Sequence, residues 1–396
     1  MKCLPGAPLG HQRMCPMTWK SCFWAESHHL DNDRNMEFGL LTLGDHRADP
    51  LTGIRNSQAQ RHSEILDYID LAEPAGFDAV LVGEHHFSDF IVAVPQVFLA
   101  WLAGRTSRIR LGTGVTLLPH HDPVRLAEDF ATLDVVSEGR AEVWVGKGVE
   151  PSVYRQFGQD NERALEMQQE GLELLLKLWT ERDVTWNGSF RPPLDNVTLE
   201  PRPVQQPHVP VYVACSSPQS AADAAAAGLG VTISLLYFPR EVLPRLVESY
   251  HEAWDAAGHT HEPRVTLHAH VHVAPTSQEA HSHLGVYQFP FQRWVGSKKT
   301  GANPDDVQLP PHITELDNPN CAIVNGSPEE VVDRIGSIDG ICDFDRFTYQ
   351  GDYGGQPWQL VKRSLDLFAN QVMPDLRISS SSAPTSTKPV ERATRS

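Results

Sequence analysis

Apolar residues along this chain fall into short runs that alternate with stretches of helical periodicity. Residues 36–43 (MEFGLLTL) read as a first strand, followed by a polar loop over 44–60. In 63–75, Ile65, Leu66, Ile69 and Ala72 recur at the spacing of one helix face. A second strand at 79–82 and a helix at 95–106 follow, then a strand at 109–115, a helix at 124–136 and a strand at 141–145. Leu165, Leu172, Leu175, Leu176 and Trp179 mark a long fourth helix. Residues 181–207 are Pro-rich and irregular, with a small β-like piece at 184–186. Beyond them come a strand at 211–214, a helix at 218–227, a strand at 231–235, a helix at 240–257 and a strand at 265–274. Residues 290–320, with Gly, Pro and Asn throughout and the pair Lys298-Lys299, read as loop. A helix over 328–338 opens on Ser327 as cap with Pro328 in its first turn. A strand at 344–349 and a helix at 359–372 complete the pattern.

Strand and helix thus alternate about eight times, which predicts an α/β fold with a parallel sheet and crossover helices. Eight units over 36–376 fit a closed (β/α)8 TIM barrel with loop insertions. A doubly wound open sheet competes, but no GxGxxG follows the first strand.

The chain has 396 residues, of which 40% are hydrophobic and 21% charged, as in soluble globular proteins. Its net charge of −17 speaks against nucleic acid or an anionic membrane as partner. No run of about 20 apolar residues is present to span a bilayer. The cysteines show no CxxC spacing and suit free thiols in a reducing cytoplasm, which is the expected location. Residues 1–35 lack the apolar core of a signal peptide and read as a disordered N-terminal extension. Residues 377–396, rich in Ser, Thr and Pro, read as a disordered tail.

In a barrel, chemistry sits at the C-terminal ends of the strands. After strand two, Val80-Leu81-Val82 run into Gly83 and then Glu84, His85 and His86. Histidine changes charge near neutral pH, so this cluster is the first catalytic candidate. After strand three come Gly114, Val115 and Leu118-Pro119-His120-His121-Asp122. After strand four comes Gly146-Lys147-Gly148-Val149-Glu150, and after strand five Cys215-Ser216-Ser217-Pro218-Gln219-Ser220. Ser216, Ser217 and Ser220 lie where a helix N-terminus attracts an anion, and Lys147 between two glycines supplies a cation. Plain helix capping accounts equally for the serines, and a solvated loop lysine for Lys147. His268, His270 and His272 share one strand face about 6.6 Å apart, so they diverge, and no metal is assigned. No GxSxG elbow supports a hydrolase. These residues alone indicate a barrel enzyme with an anion site and a titratable histidine pair, without naming a reaction.

Seven segments, in order, resemble the bacterial luciferase-like flavin-dependent monooxygenases over most of 36–376. They are Gly83-Glu84-His85-His86-Phe87; Leu111-Gly112-Thr113-Gly114-Val115 with Leu118-Pro119; Pro123-Val124-Arg125-Leu126-Ala127-Glu128-Asp129; Leu133-Asp134-Val135-Val136-Ser137-Glu138-Gly139-Arg140; Pro210-Val211-Tyr212-Val213-Ala214; Gly326-Ser327-Pro328-Glu329-Glu330; and Met373-Pro374. The resemblance implies a (β/α)8 barrel that binds reduced FMN and oxygenates an organic substrate with O2 through a flavin peroxide. It implies His85 as the acid–base residue beside the flavin, with Glu84 and His86 in support. Lys147 falls where the family keeps a phosphate-binding arginine, and so loses the bidentate fork. Ser217 and Ser220 match the family's hydroxyl residues at the fifth helix, and Gly114–Val115 matches a cis bond beneath the flavin.

Three departures argue against light emission. Gly146 replaces a reactive cysteine, Leu235 replaces a tryptophan, and the family's mobile lid matches 290–320 in position only. The resemblance further implies a separate NAD(P)H:flavin reductase and a homodimer. An aldehyde, ketone or secondary metabolite is the expected substrate. A deazaflavin-dependent oxidoreductase of the same superfamily is the alternative. A non-catalytic flavin-binding subunit is a third reading, and the presence of His85 speaks against it.

Overall fold

The computed structural model describes residues 36–381 apart from Phe238, Asp317, Pro319 and Asn320, with no side-chain description for 379–381. The expected extension over 1–35 and residues 382–396 of the expected tail lie outside the described residues. The strands β1 (Glu37–Thr42), β2 (Ala79–Val82), β3 (Arg110–Thr113), β4 (Ala141–Gly146), β5 (Val211–Ala214), β6 (Gly230–Ser234), β7 (Val265–Val273) and β8 (Arg346–Gln350) pair in chain order. All these pairings are parallel, and β8 pairs back onto β1. This is the closed (β/α)8 barrel that the alternating pattern predicts, and the open sheet is set aside.

The strand sequences explain the closure. In β2 every residue is buried, as a strand covered on both faces requires. The inner face is built in layers. Near the strand starts, Arg346 bonds Glu142 through both terminal nitrogens at 2.7 and 3.1 Å. Glu37 accepts from Arg346 at 2.9 Å and from Arg264 at 2.6 Å. Above this ionic floor lie Leu41, Leu81, Trp144 and Tyr212. The large rings fit because small residues face them: a Cβ on Gly230 would meet the Tyr212 ring at 2.5 Å.

The crossover helices form an outer shell, and three of them start alike. Asp122-Pro123, Ser217-Pro218 and Ser327-Pro328 each place a capping side chain before a proline in the first turn. The helices Pro95–Ala103 and Pro123–Val136 leave Val97, Trp101, Val135 and Val136 exposed beside Val94.

Four segments add to or differ from the pattern reading. Residues 290–320 are not all loop, because Phe289–Thr300 is a helix that buries Phe291, Trp294 and Ser297. Pro290 lies inside a helical run that continues from Ser277–His283 through a π-helical turn at Leu284–Gln288, and that wider turn comes just before the proline. Gly296 faces Val307, which a Cβ would meet at 2.8 Å. Farther on, Val324–Gly326 adds a short parallel strand beside β7. Within 181–207, Val184–Trp186 pairs antiparallel with Leu194–Val197. At the C-terminal end the chain stays helical over Met373–Ser381, into the span read as tail; Leu376 is buried and Arg377 pairs with Asp78 at 2.8 Å.

Candidate active site

The rim at the C-terminal strand ends starts from two glycines. A Cβ on Gly83 would meet Leu43 Cδ2 at 2.4 Å and the Gly114 carbonyl oxygen at 3.0 Å. Only a bare backbone lets the ends of β2 and β3 approach this closely. The Gly114–Val115 bond is cis, as the resemblance leads one to expect.

Glu84 leaves this junction inward and is 2% exposed. Its carboxylate is bonded to His86 Nε2 at 2.7 Å, to His121 Nε2 at 2.9 Å and to the Leu117 N–H at 3.1 Å. Burial alone raises its pKa, but the bonds from His121 and His86 outweigh burial and hold it down at about 2. His121 responds in kind: burial pulls its pKa down, yet the bond to Glu84 and the Glu84 charge raise it above the ordinary value. Glu84 is therefore an ionised anchor that clamps the β2 and β3 loops together.

His85 points the other way. Its ring stacks on Phe90 with centroids 3.9 Å apart and planes 14° apart. Phe90 packs with Phe291, Trp294 and Tyr353 in an aromatic wall over the rim. Burial pulls the His85 pKa down to about 4, so the imidazole is neutral near pH 7. Its main-chain N–H donates to Val92 O at 2.9 Å, which fixes the backbone beneath the ring. A neutral imidazole on a fixed backbone, roofed by aromatic rings, is suited to accept a proton.

The β7 histidines line the barrel interior. Gln350 Oε1 accepts from His268 Nε2 at 2.9 Å, which leaves Nδ1 to accept from the Ser234 hydroxyl at 3.1 Å. His270 Nδ1 accepts from Gln288 and Gln292 at 2.9 and 3.1 Å, and its ring stacks on Tyr353 at 4.6 Å. His272 bonds His283. Burial lowers all three pKa values. Each histidine has its own partner, and among the described residues no group of three or more His, Cys, Asp or Glu could hold a metal ion.

The anion candidates lie on adjacent strands, since β4 pairs with β5 through Val145 and Val213. Lys147 is exposed, and its carbonyl accepts from the Tyr154 hydroxyl. Ser217 Oγ accepts from the Ser220 N–H at 3.2 Å, and Ser220 Oγ accepts from the N–H groups of Ser216 and Ser217 at 3.1 Å each. Capping and anion binding thus draw on the same turn. Ala214 and Ser216 are exposed, so the turn is open to solvent. A Cβ on Gly146 would meet Val115 Cγ2 at 2.8 Å, so glycine lets the end of β4 pack directly against Val115. The serine hydroxyls of this turn and the Lys147 ammonium are the groups here whose chemistry suits a phosphate monoester.

Phe90, Trp294, Tyr353, Gln288 and Gln350 were missed by sequence reasoning. Trp294 and Gln288 lie on helical turns hidden by Pro290 and Gly296. His121 was visible in Leu118-Pro119-His120-His121-Asp122, but its partner was not.

Residues 36–340 match the family model described as luciferase-like monooxygenase. The oxygenase component of flavin-dependent trigonelline monooxygenase from Acinetobacter baylyi is 28% identical over 354 residues, 86% of this chain and 95% of that protein. The F420-dependent glucose-6-phosphate dehydrogenase of Kineococcus radiotolerans is 32% identical over 330 residues, 79% of this chain and 93% of that protein. The crystal structure of monooxygenase RslO1 from Streptomyces bottropensis superposes with a TM-score of 0.75 at 30% identity, over 86% of this chain and 99% of that one. With its barrel closed and its family model matched over most of its length, the chain belongs to the luciferase-like monooxygenase family of flavin-dependent oxidoreductases.

Proposed function

We propose that this chain is the oxygenase of a two-component system. In this reading it takes reduced FMN from a separate NAD(P)H:flavin reductase and uses O2 to oxygenate a small aldehyde, ketone or secondary metabolite. The relative named an oxygenase component supports the division of labour. The observation that carries the reading is His85, a neutral imidazole beneath an aromatic roof at the strand ends. Lys147, Ser216, Ser217 and Ser220 would hold the phosphate, and Gly114 and Val115 would lie under the ring system. Reduced flavin, when bound, supplies the electrons that activate O2. His85 accepts and returns a proton at its imidazole nitrogen. Phe90, Phe291, Trp294 and Tyr353 exclude water around it. Glu84 and His86 hold the loop that carries His85.

The test mixes the purified chain with chemically reduced FMN, 18O2 and a panel of carbonyl substrates. Label in the product supports oxygenation. H85A is expected to lose 10²–10⁴-fold in turnover while still binding flavin. Undiminished turnover in H85A removes His85 from the mechanism.

The F420-dependent relative supports a second reading, hydride transfer with a reduced deazaflavin. Tight binding of reduced deazaflavin with no labelled product would favour it. We also propose a homodimer, supported by the exposed apolar face of Val94, Val97, Trp101, Val135 and Val136.

A further inference from the structure

The helix Phe289–Thr300 ends in Lys298 and Lys299. Lys299 Nζ lies 4.0 Å from the ring centroid of Tyr237, which follows β6. Lys298 Nζ lies 5.3 Å from the ring centroid of Trp294, and its charge acts on Glu150, which follows β4. In the barrel, β5 lies between β4 and β6. One helix end that reaches residues following both neighbours therefore brackets the C-terminal end of β5, where Ser216, Ser217 and Ser220 open their helix.

In the loop after β4, Lys147 and Glu150 carry opposite formal charges, and the charge of Lys298 acts on Glu150. A phosphate monoester carries about −1.5 to −2 near neutral pH. The chain as a whole carries −17 and repels it, so attraction has to come from local cations. Among the described residues, no carboxylate lies within 4.0 Å of the Lys298 or Lys299 ammonium. Both are oriented over aromatic faces, which position an ammonium without neutralising it.

We propose that Lys298 and Lys299 are cofactor-binding residues that join Lys147 in holding the phosphate of the flavin. This rests on the flavin reading above. It also gives the departure at Lys147 a physical counterpart: the family's forked arginine is replaced by point charges brought from a second element.

The test is an equilibrium titration of the full chain with FMN and with riboflavin, which lacks the phosphate, followed by flavin fluorescence and needing no turnover. K298Q/K299Q is expected to weaken FMN about tenfold and leave riboflavin within about twofold. K298R/K299R keeps FMN binding. Raising salt weakens FMN binding to the wild type more than to the double glutamine variant. If K298Q/K299Q keeps the wild-type preference for FMN over riboflavin while K147Q loses it, the two lysines lie outside the phosphate site, and the flavin reading stands. If the wild type binds FMN no better than riboflavin, or binds neither, the flavin-phosphate assignment falls and the proposal with it.

Discussion

Glu84 shows how one residue organises the chemistry of its neighbours. A buried carboxylate is costly unless it is fully hydrogen bonded, and here two imidazoles and a main-chain N–H meet that demand. The consequence reaches His121, whose raised pKa depends on the Glu84 bond and charge against a burial that lowers it. In E84Q the shape persists and the charge is gone. The His121 pKa is then expected to fall below 6.5, read by NMR titration of its imidazole protons. A His121 pKa that stays raised would show that Glu84 is not its source. Glu84, His85 and His86 were legible in sequence because a buried strand delivers them to a rim. The Glu84–His121 bond was not, because only the adjacency of β2 and β3 brings these residues together.

The helix Phe289–Thr300 makes the same point for a whole element. Its buried residues Phe291, Trp294 and Ser297 follow a three-residue step, but Pro290 and Gly296 look like breakers to a local reading. Neither breaks the helix. Pro290 follows the π-helical turn Leu284–Gln288, which widens the helix just before it, and Gly296 makes room for Val307. The eight barrel strands were legible because burial on both faces leaves uninterrupted apolar runs. This helix was not, because its partners are aromatic residues from the ends of other strands.

Trp294 is 5% exposed and packs on Phe90 with centroids 4.9 Å apart, while Phe90 stacks on His85. W294A should cost about 3 kcal/mol in urea unfolding, at the low end for a buried tryptophan. It should also admit water to His85. Burial is what depresses the His85 pKa, so relief of burial raises it from about 4 toward 6.5. The pH–rate profile of W294A should shift upward accordingly. A profile that stays in place would detach the aromatic wall from the acid–base role of His85.

At the scale of the molecule, the exposed apolar residues Val97 and Trp101, four apart on one helix, and Val136 should close a dimer. Light scattering should give about twice the chain mass for the wild type and a monomer for V97E/W101E; a monomeric wild type would refute the dimer. The other molecular property is the number of histidines held neutral. Burial lowers the pKa of His85 and His268 to about 4 and of His272 to about 3, and lowers those of His120, His208, His270 and His283 as well. The unfolded chain takes up these protons near pH 6.5, whereas the folded chain does not until lower pH. Between pH 6.5 and 4 the unfolded state therefore binds more protons, and stability falls as pH falls. His121 opposes this, because its pKa is raised. Asp352, pushed by burial up to about 7, and Asp45, also raised, oppose it too, since both are protonated more readily in the folded state. Asp129 and Glu150 are raised as well, and seven lowered groups outweigh these five raised ones. Below pH 4.5 the carboxylates of Glu84 and Glu142, both held below their ordinary range, add to the loss. Each extra proton on the unfolded chain is worth roughly 1.4 kcal/mol per pH unit. The melting temperature should therefore be highest near pH 7 and fall steeply from pH 6.5 to 5. H268Q keeps a hydrogen-bonding side chain on the barrel's inner face without the titration, and should flatten the fall. A melting temperature that holds or rises on acidification to pH 5 would mean that the interior histidines take up protons without unfolding.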